Sequence, residues 1–261
     1  MAYLGDYHTH TVYSHGKCSI EENVVRAIEL GFKEIAITDH GFKHSIFHVR
    51  RMDFPDMEKE VAALRLKYPQ INILLGIESN LNSHRGFIDL LPTEIKALDV
   101  VVCGYHFMVK PDRFKDFFKF WLPNFIQNLT KKTSKKMYIR NTDMYIKALN
   151  NYEIDILSHP NFGIEVDVVE VAKECKRHGT YFELNGRRIS IDDKTLAKVA
   201  ETGVEFIANS DAHKLKDIGS VGLVDKTIDR IGIPRSQLAN WDRLPVWRSK
   251  KLQASLGHLE L

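Results

Sequence analysis

The sequence predicts an α/β fold, a (β/α)7 TIM-like barrel in which seven parallel strands alternate with helices. Three observations lead there. Short apolar runs alternate with helix-period segments, the order that produces parallel connections. The runs are continuous rather than alternating in polarity, as for strands covered on both faces. Polar side chains able to bind metal recur where these runs end, and strand ends of a barrel converge on one mouth. An open doubly wound sheet is the alternative. Its Gly-rich first turn is missing, because the first strand leads into Thr9-His10-Thr11.

The first strand is expected over Tyr3–Thr11, where i and i+2 share a face, so that His8 and His10 point the same way with His15 on the following loop. Ser19-Ile20-Glu21-Glu22 is a capping box, followed by a helix with Val24, Val25, Ile28 and Leu30 that Gly31 closes. Ile35–Thr38 is the second strand, and a helix over residues 56–68 stops at Pro69. The third strand, Ile71–Ile77, ends at Glu78; the fourth, Val100–Gly104, has His106 just beyond it. Ile154–Leu157 runs into Ser158-His159-Pro160, Tyr181–Asn185 is the sixth strand, and Val204–Ala208 runs into Asn209-Ser210-Asp211-Ala212-His213. Helices are expected near residues 166–178 and 192–201, each stopped by a glycine.

At 261 residues, 44% hydrophobic and 27% charged, the chain can build a single large core. A formal net charge of +3 is too small to argue for nucleic acid. Cys18, Cys103 and Cys175 show no paired spacing, so neither a disulfide framework nor a thiolate metal site is indicated. Without a signal-peptide pattern or an apolar run near membrane length, the expectation is a cytoplasmic protein with no membrane span.

Six of the seven predicted strands end in imidazole or carboxylate: His8 and His10, His40, Glu78, His106, His159, and Asp211 with His213. With His15, these account for seven of the twelve histidines, a sorting that points to a metal cluster rather than to scattered capping partners. His44, His48 and His84 lie on mouth-side loops and are read as solvated loop residues, with substrate contact as the alternative, and His178 as a cation in a last helical turn. Asp6 and Asp39 are read as carboxylates that orient imidazoles.

His8-x-His10, Thr38-Asp39-His40-Gly41, Gly76-Ile77-Glu78, Gly104-Tyr105-His106, Ser158-His159-Pro160 and Ser210-Asp211-Ala212-His213 together resemble the ordered motifs of the PHP (polymerase and histidinol phosphatase) family. The resemblance implies a distorted seven-stranded barrel spanning residues 1–235, with residues 236–261 as a tail that is partly packed or frayed. It also implies three divalent metal ions: one on His8, His10, Glu78 and Asp211, one on Glu78, His106 and His159, and one on His15, His40 and His213. Such donors suit zinc, manganese or iron.

Metal ions about 3.5–4 Å apart share a hydroxide and clamp the oxygens of an in-line displacement at phosphorus. The expected activity is therefore hydrolysis of a small phosphomonoester by metal-bridged hydroxide, with Asp211 and Glu78 as the catalytic carboxylates. Histidinol phosphate is one candidate substrate. Arg187 and Arg188, after the sixth strand, are the candidate phosphate-binding pair; the alternative is a surface pair in a loop. A 3′–5′ exonuclease and a non-enzymatic metal-holding interaction module are the competing functions.

Residues 107–140 form a lid-like insertion with nine Lys or Arg and recurring aromatics, in which Pro123 should kink or split the helix. A lid, a partner or oligomer face, a membrane-surface helix, and an aromatic stripe packed on the barrel are the readings open for it. Trp241 and Trp247 are expected to pack back on the barrel.

Overall fold

The computed structural model describes residues 2–247. Seven strands lie side by side in chain order: β1 (Gly5–Asp6), β2 (Glu34–Ile37), β3 (Asn72–Asn80), β4 (Val100–Gly104), β5 (Ile156–Leu157), β6 (Tyr181–Asn185) and β7 (Phe206–Asn209). Every neighbouring pair is parallel. The sheet closes beyond the regular ends of β1 and β7, where His10 N–H donates to Ala212 O (2.9 Å) and Ala212 N–H donates to His8 O (3.3 Å).

β1 is far shorter than the expected Tyr3–Thr11, and the reason lies below the seam. There the chain after residue 237 occupies the edge of β7 that β1 would pair with: Ala239 N–H donates to Phe206 O (2.7 Å), and Leu4 N–H to Asn240 O (3.1 Å). Asn240, fully buried, completes the seam with its side chain. Its Nδ2 donates to Ala208 O (2.7 Å) and Gly5 O (3.2 Å), and its Oδ1 accepts from Ala208 N–H (3.1 Å). Trp241 meets Tyr3 edge-on (4.9 Å between ring centroids), and buried Trp247 packs on Tyr7 (4.7 Å). Residues 248–261, part of the expected tail, lie outside the described residues.

Helices cover the outside: α1 (Ile20–Glu29), α2 (Phe54–Lys67), α3 (Pro92–Ala97), α4 (Phe114–Asp116), α5 (Leu122–Thr130), α6 (Lys135–Asn151), α7 (Val168–His178), α8 (Asp193–Glu201) and α9 (Gly222–Ile231). The Ser19 capping box forms as expected, with Ser19 Oγ accepting from Glu22 N–H (3.2 Å) and Glu22 Oε2 from Ser19 N–H (2.7 Å). α1 buries Ile20, Val24 and Ala27, while Val25 and Leu30 of the expected apolar set face outward. No helix among the described residues is long and apolar enough to cross a membrane.

Inside the barrel, Tyr7, Ala36, Leu74, Val102, Ile156, Tyr181 and Ile207 make one apolar cluster, sealed at its base by Ala239 and Trp247. Further up the strands the inward side chains become polar. Leu74 gives way to Gly76 and Glu78, Tyr181 to Glu183 and Asn185, and Ile207 to Asn209 and Asp211. The site therefore stands on an apolar floor.

In the insertion, Pro123 does not split the helix, which runs on without a break from Phe114 to Thr130. A π turn, Phe117–Trp121, precedes it and joins α4 to α5; Leu122 N–H donates to Phe117 O across it. A turn widened to i→i+5 bonding is one way to place a residue that has no N–H inside a continuing helix. The aromatics do not pack on the barrel as a stripe, since Phe120 is the one aromatic of this helical stretch that is buried.

Replacing Asn240 with Leu should leave buried backbone groups at the seam unpaired. The expected cost is about 3 kcal/mol, read as a lower urea midpoint with unchanged slope; an unaltered midpoint would show that the seam does not depend on this side chain.

Candidate metal centre

The polar layer is built around Glu78, which lies inside β3 rather than beyond it and is fully buried. Its Oε1 is 2.7 Å from His159 Nε2, 3.3 Å from His8 Nε2 and 3.6 Å from His106 Nε2. Its Oε2 is 2.7 Å from His40 Nδ1 and 3.7 Å from His10 Nε2. Asp211 forms a second focus, its Oδ1 3.3 Å from His10 Nε2, 3.4 Å from His213 Nδ1 and 3.9 Å from His8 Nε2. The His15 ring stacks on His40 (4.9 Å) and meets His213 edge-on (4.1 Å). All nine sequence-predicted ligand residues thus face one mouth.

Four triads bring three donor atoms within 4.8 Å of one another: His8–His10–Asp211, His8–Glu78–His159, His40–Glu78–His106 and His10–His40–His213. Several donor atoms have no hydrogen-bond partner among the described residues although buried: His8 Nε2, both nitrogens of His10, His15 Nδ1 and His159 Nδ1. Buried polar atoms are normally satisfied, so these orphans fit a group of divalent cations.

Tautomers follow from the surrounding bonds. Asp89 takes both Asn80 donors, N–H at 2.8 Å and Nδ2 at 2.7 Å, which turns Asn80 Oδ1 towards His106 Nδ1 (2.8 Å). His106 therefore carries its proton on Nδ1 and offers the Nε2 lone pair to the mouth. Glu183 does the same for His8, sitting 2.7 Å from its Nδ1, and also accepts from His159 N–H (2.7 Å) and from Asn185 and Asn209. Gly41 allows this approach, since a Cβ there would stand 2.7 Å from Asp89 Oδ2.

The sequence assigns β6 no metal ligand, and it gives neither Glu183 nor Asn80 the ring-orienting role seen here. The signal was present as two polar residues at i and i+2 in otherwise apolar strands: Glu78-x-Asn80 and Glu183-x-Asn185. Asp6 and Asp39, expected to orient imidazoles, instead fasten loops. Asp6 accepts from Ser210 N–H (3.1 Å) and Gly219 N–H (2.9 Å), and Asp39 from Thr11 N–H (2.7 Å) and Ser14 Oγ (2.5 Å). Their neighbours in sequence point inward while they point away.

His44 is also corrected, being buried at the mouth rather than solvated. Its Nδ1 accepts from Phe47 N–H (2.9 Å) and Ile46 N–H (3.3 Å), so the proton sits on Nε2. His84 lies away from the mouth, its Nδ1 2.6 Å from Asp116.

Electrostatics separate the rings. Burial first, then like charge on neighbouring rings, pushes His10 and His106 well below the usual imidazole range and His15 down to about 3. Burial likewise lowers His44 and His213 to about 4. These rings are neutral at pH 7, the form that binds metal. Burial works to raise Glu78, but His8, His106 and His40 outweigh it and hold the carboxyl well below the ordinary range. Burial opposes the His8 imidazolium, and the Glu78 and Glu183 charges overcome it.

His159 and Asp211 both have left-handed backbones, φ 30° and 53°. For residues with a Cβ this costs roughly 1–3 kcal/mol each, and such strain gathers at functional sites. The mouth opens into a cavity of about 200 Å³ walled by Phe47, Phe162, His44, Arg187 and Arg188 as well as the cluster. Arg187 reaches inward, its NH1 2.8 Å from His213 Nδ1 and 3.4 Å from Asp211 Oδ1. Arg188 lies over the Phe162 ring at 4.0 Å.

Comparison with known proteins agrees with this architecture. A Clostridium botulinum protein named "Probable phosphatase" is 27% identical over 277 residues, covering all of both chains. One of the same name from Shewanella piezotolerans is 26% identical over 258 residues, covering 92% of this chain and 90% of its own. Among solved structures, histidinol phosphate phosphatase of Lactococcus lactis, complexed with zinc, L-histidinol and phosphate, superposes with a TM-score of 0.59. It is 15% identical, over 90% of this chain and 95% of its own. The PHP domain family matches residues 6–217. The chain belongs to the PHP family.

Proposed function

We propose that this chain is a metal-dependent phosphoesterase that hydrolyses a small phosphomonoester at the barrel mouth. One observation carries the reading: a single buried carboxylate, Glu78, ringed by five imidazoles, with the inward nitrogens of His8 and His10 buried and without a hydrogen-bond partner among the described residues. Phosphatase names among full-length relatives and the family match support the reaction class. The Lactococcus structure, with its phosphate and L-histidinol, makes histidinol phosphate one substrate to test.

His8, His10, Glu78 and Asp211 would hold one ion, Glu78, His106 and His159 a second, and His15, His40 and His213 a third. The mixed donor set suits zinc, manganese or iron. Bound there, divalent ions would supply water of lowered pKa and neutralise phosphate charge. The chain's own residues do the rest. Glu183 and Asn80 fix the His8 and His106 rings with their lone pairs inward. Arg187 has a guanidinium free to turn from His213 onto phosphate oxygens. Asp211, partly open to the mouth, would pass a proton. Neutral His44 presents Nε2–H to the cavity as a donor for a substrate oxygen. Phe47 and Phe162 narrow the mouth.

A panel of phosphomonoesters, phosphodiesters and single-stranded DNA with Mn²⁺ or Zn²⁺ tests the function. Monoester hydrolysis alone supports it; degradation of DNA without monoester turnover, or silence on all three, overturns it.

Elemental analysis checks the ligand assignment. Glu78→Ala should lose more metal than His15→Ala, because Glu78 touches most of the rings. Glu183→Gln should keep every ligand yet lose about 10–100-fold in metal affinity, since it turns an amide donor towards groups that already donate. Equal losses for Glu78 and His15, or a neutral Glu183→Gln, would contradict the arrangement.

Arg187→Ala should raise KM for a phosphomonoester with metal content unchanged. An unaltered KM removes Arg187 from the phosphate site.

Metal-free protein should be less stable at pH 5 than at pH 7. His10, His15, His44, His106 and His213 are held below an unfolded value near 6.5, so below that pH the unfolded chain takes up protons the fold refuses. His8 and His159 act oppositely, their contribution being complete below about 6.5 and lost as pH rises through their raised values. Five depressed rings against two raised ones set the net sign. A higher melting temperature at pH 5 would reverse it.

A further inference from the structure

The helical stretch from Phe114 to Thr130 is amphipathic the wrong way round. Its buried side is Asp116, Phe120, Asn124 and Gln127, spaced by three or four residues, and three of these four are polar. Two of the inward polar groups are paired within the protein: Asp116 accepts from Ser83 Oγ (2.7 Å), and Asn124 and Asn141 exchange side-chain bonds (2.8 and 3.3 Å). Its outer side is apolar, with Phe114 81%, Phe118 54%, Ile126 48% and Leu129 70% exposed. Beside it, Phe117, Trp121 and Phe125 stack in a ladder with centroids 5.2 and 5.0 Å apart. A helix that turns polar residues to its own protein and large apolar ones outward is shaped for a second environment.

Charge identifies that environment. Residues 107–140 carry nine Lys or Arg and two acids. Both acids are engaged: Asp112 with Lys43 (3.0 Å) and Arg85 (3.1 Å), and Asp116 with His84 (2.6 Å). The cations at 115 and 119 are exposed beside Phe114 and Phe118, and those at 131, 132, 135 and 136 are exposed just past the helix end. A second copy of the chain is a poor match, because a two-fold interface would set this cationic rim against itself. An anionic bilayer suits both features, receiving apolar side chains at the headgroup boundary while its charge attracts the lysines.

We propose that the outer face of residues 114–130, with its flanking lysines, is a peripheral docking surface for anionic lipid bilayers. The geometry is that of a helix lying in the interface. The insertion adjoins the mouth through Lys110 N–H to Lys43 O (2.8 Å) and Ser45 N–H to Met108 O (2.8 Å), so docking holds the cavity near the membrane surface. This surface is independent of the reaction assigned above.

Co-sedimentation of the full chain with phosphatidylcholine vesicles, with and without 30% phosphatidylserine, tests the proposal. The expected result is binding at least tenfold stronger with phosphatidylserine, weakened by 0.5 M NaCl. Phe114→Ser/Phe118→Ser and Lys115→Glu/Lys119→Glu should each lose it about tenfold or more. These side chains are exposed, so melting temperature should not move, and a shifted one would send the test to Leu129→Ser. No binding to phosphatidylserine vesicles, or binding that the variants retain, overturns the proposal. So does a dimer seen by light scattering that the same substitutions abolish, or patch-dependent capture of single-stranded DNA without vesicle binding.

Discussion

A carboxylate with no access to water sits at the centre of this molecule, and the rest of the mouth answers to its charge. Removing Glu78 from solvent is costly unless positive charge faces it from several directions. Five imidazoles from β1, β2, β4 and β5 approach it, and none of these rings can move far without exposing a buried nitrogen. A cluster of imidazoles and carboxylates this close together is a donor set that could hold divalent cations. Their burial and closeness explain why some rings are driven far below their ordinary range while His8 is driven above it.

The barrel makes this possible by changing character along its axis. Lower inward positions are apolar and shut by Trp247 and Ala239; upper ones carry the polar groups. Below the mouth the surroundings are apolar, and low polarity strengthens each contact the ligands make. Support comes from the next layer of side chains. Asp89 aims Asn80, Asn80 aims His106, and Glu183 ties His8 to the backbone of His159. The left-handed turns at His159 and Asp211 are held by the same framework, which accepts local strain to bring two strand ends over the mouth.

The insertion obeys a different logic. Within the barrel, polar groups are enclosed because they serve the site. In Phe114–Thr130 they are enclosed against the protein while aromatic and aliphatic side chains are left outside. Both patterns reverse the ordinary partition of polar and apolar surface, and both mark where the molecule meets something other than water.

Much of this was written in the sequence. Apolar runs of strand length, each followed by an imidazole or carboxylate, determine a barrel with a polar mouth, because strand ends in that fold have one place to converge. His8-x-His10 and Asp211-x-His213 share faces by backbone period alone. Sequence could not separate Asp39, which turns away to hold Thr11 and Ser14, from Glu183, which turns inward to hold His8. Nor could it bury His44 or place Asn240 in the seam between β1 and β7. Those outcomes depend on which way a side chain faces once distant segments are packed, and on the π turn that carries Pro123. Local pattern decides what a residue can do; only closure of the barrel decides what it stands against.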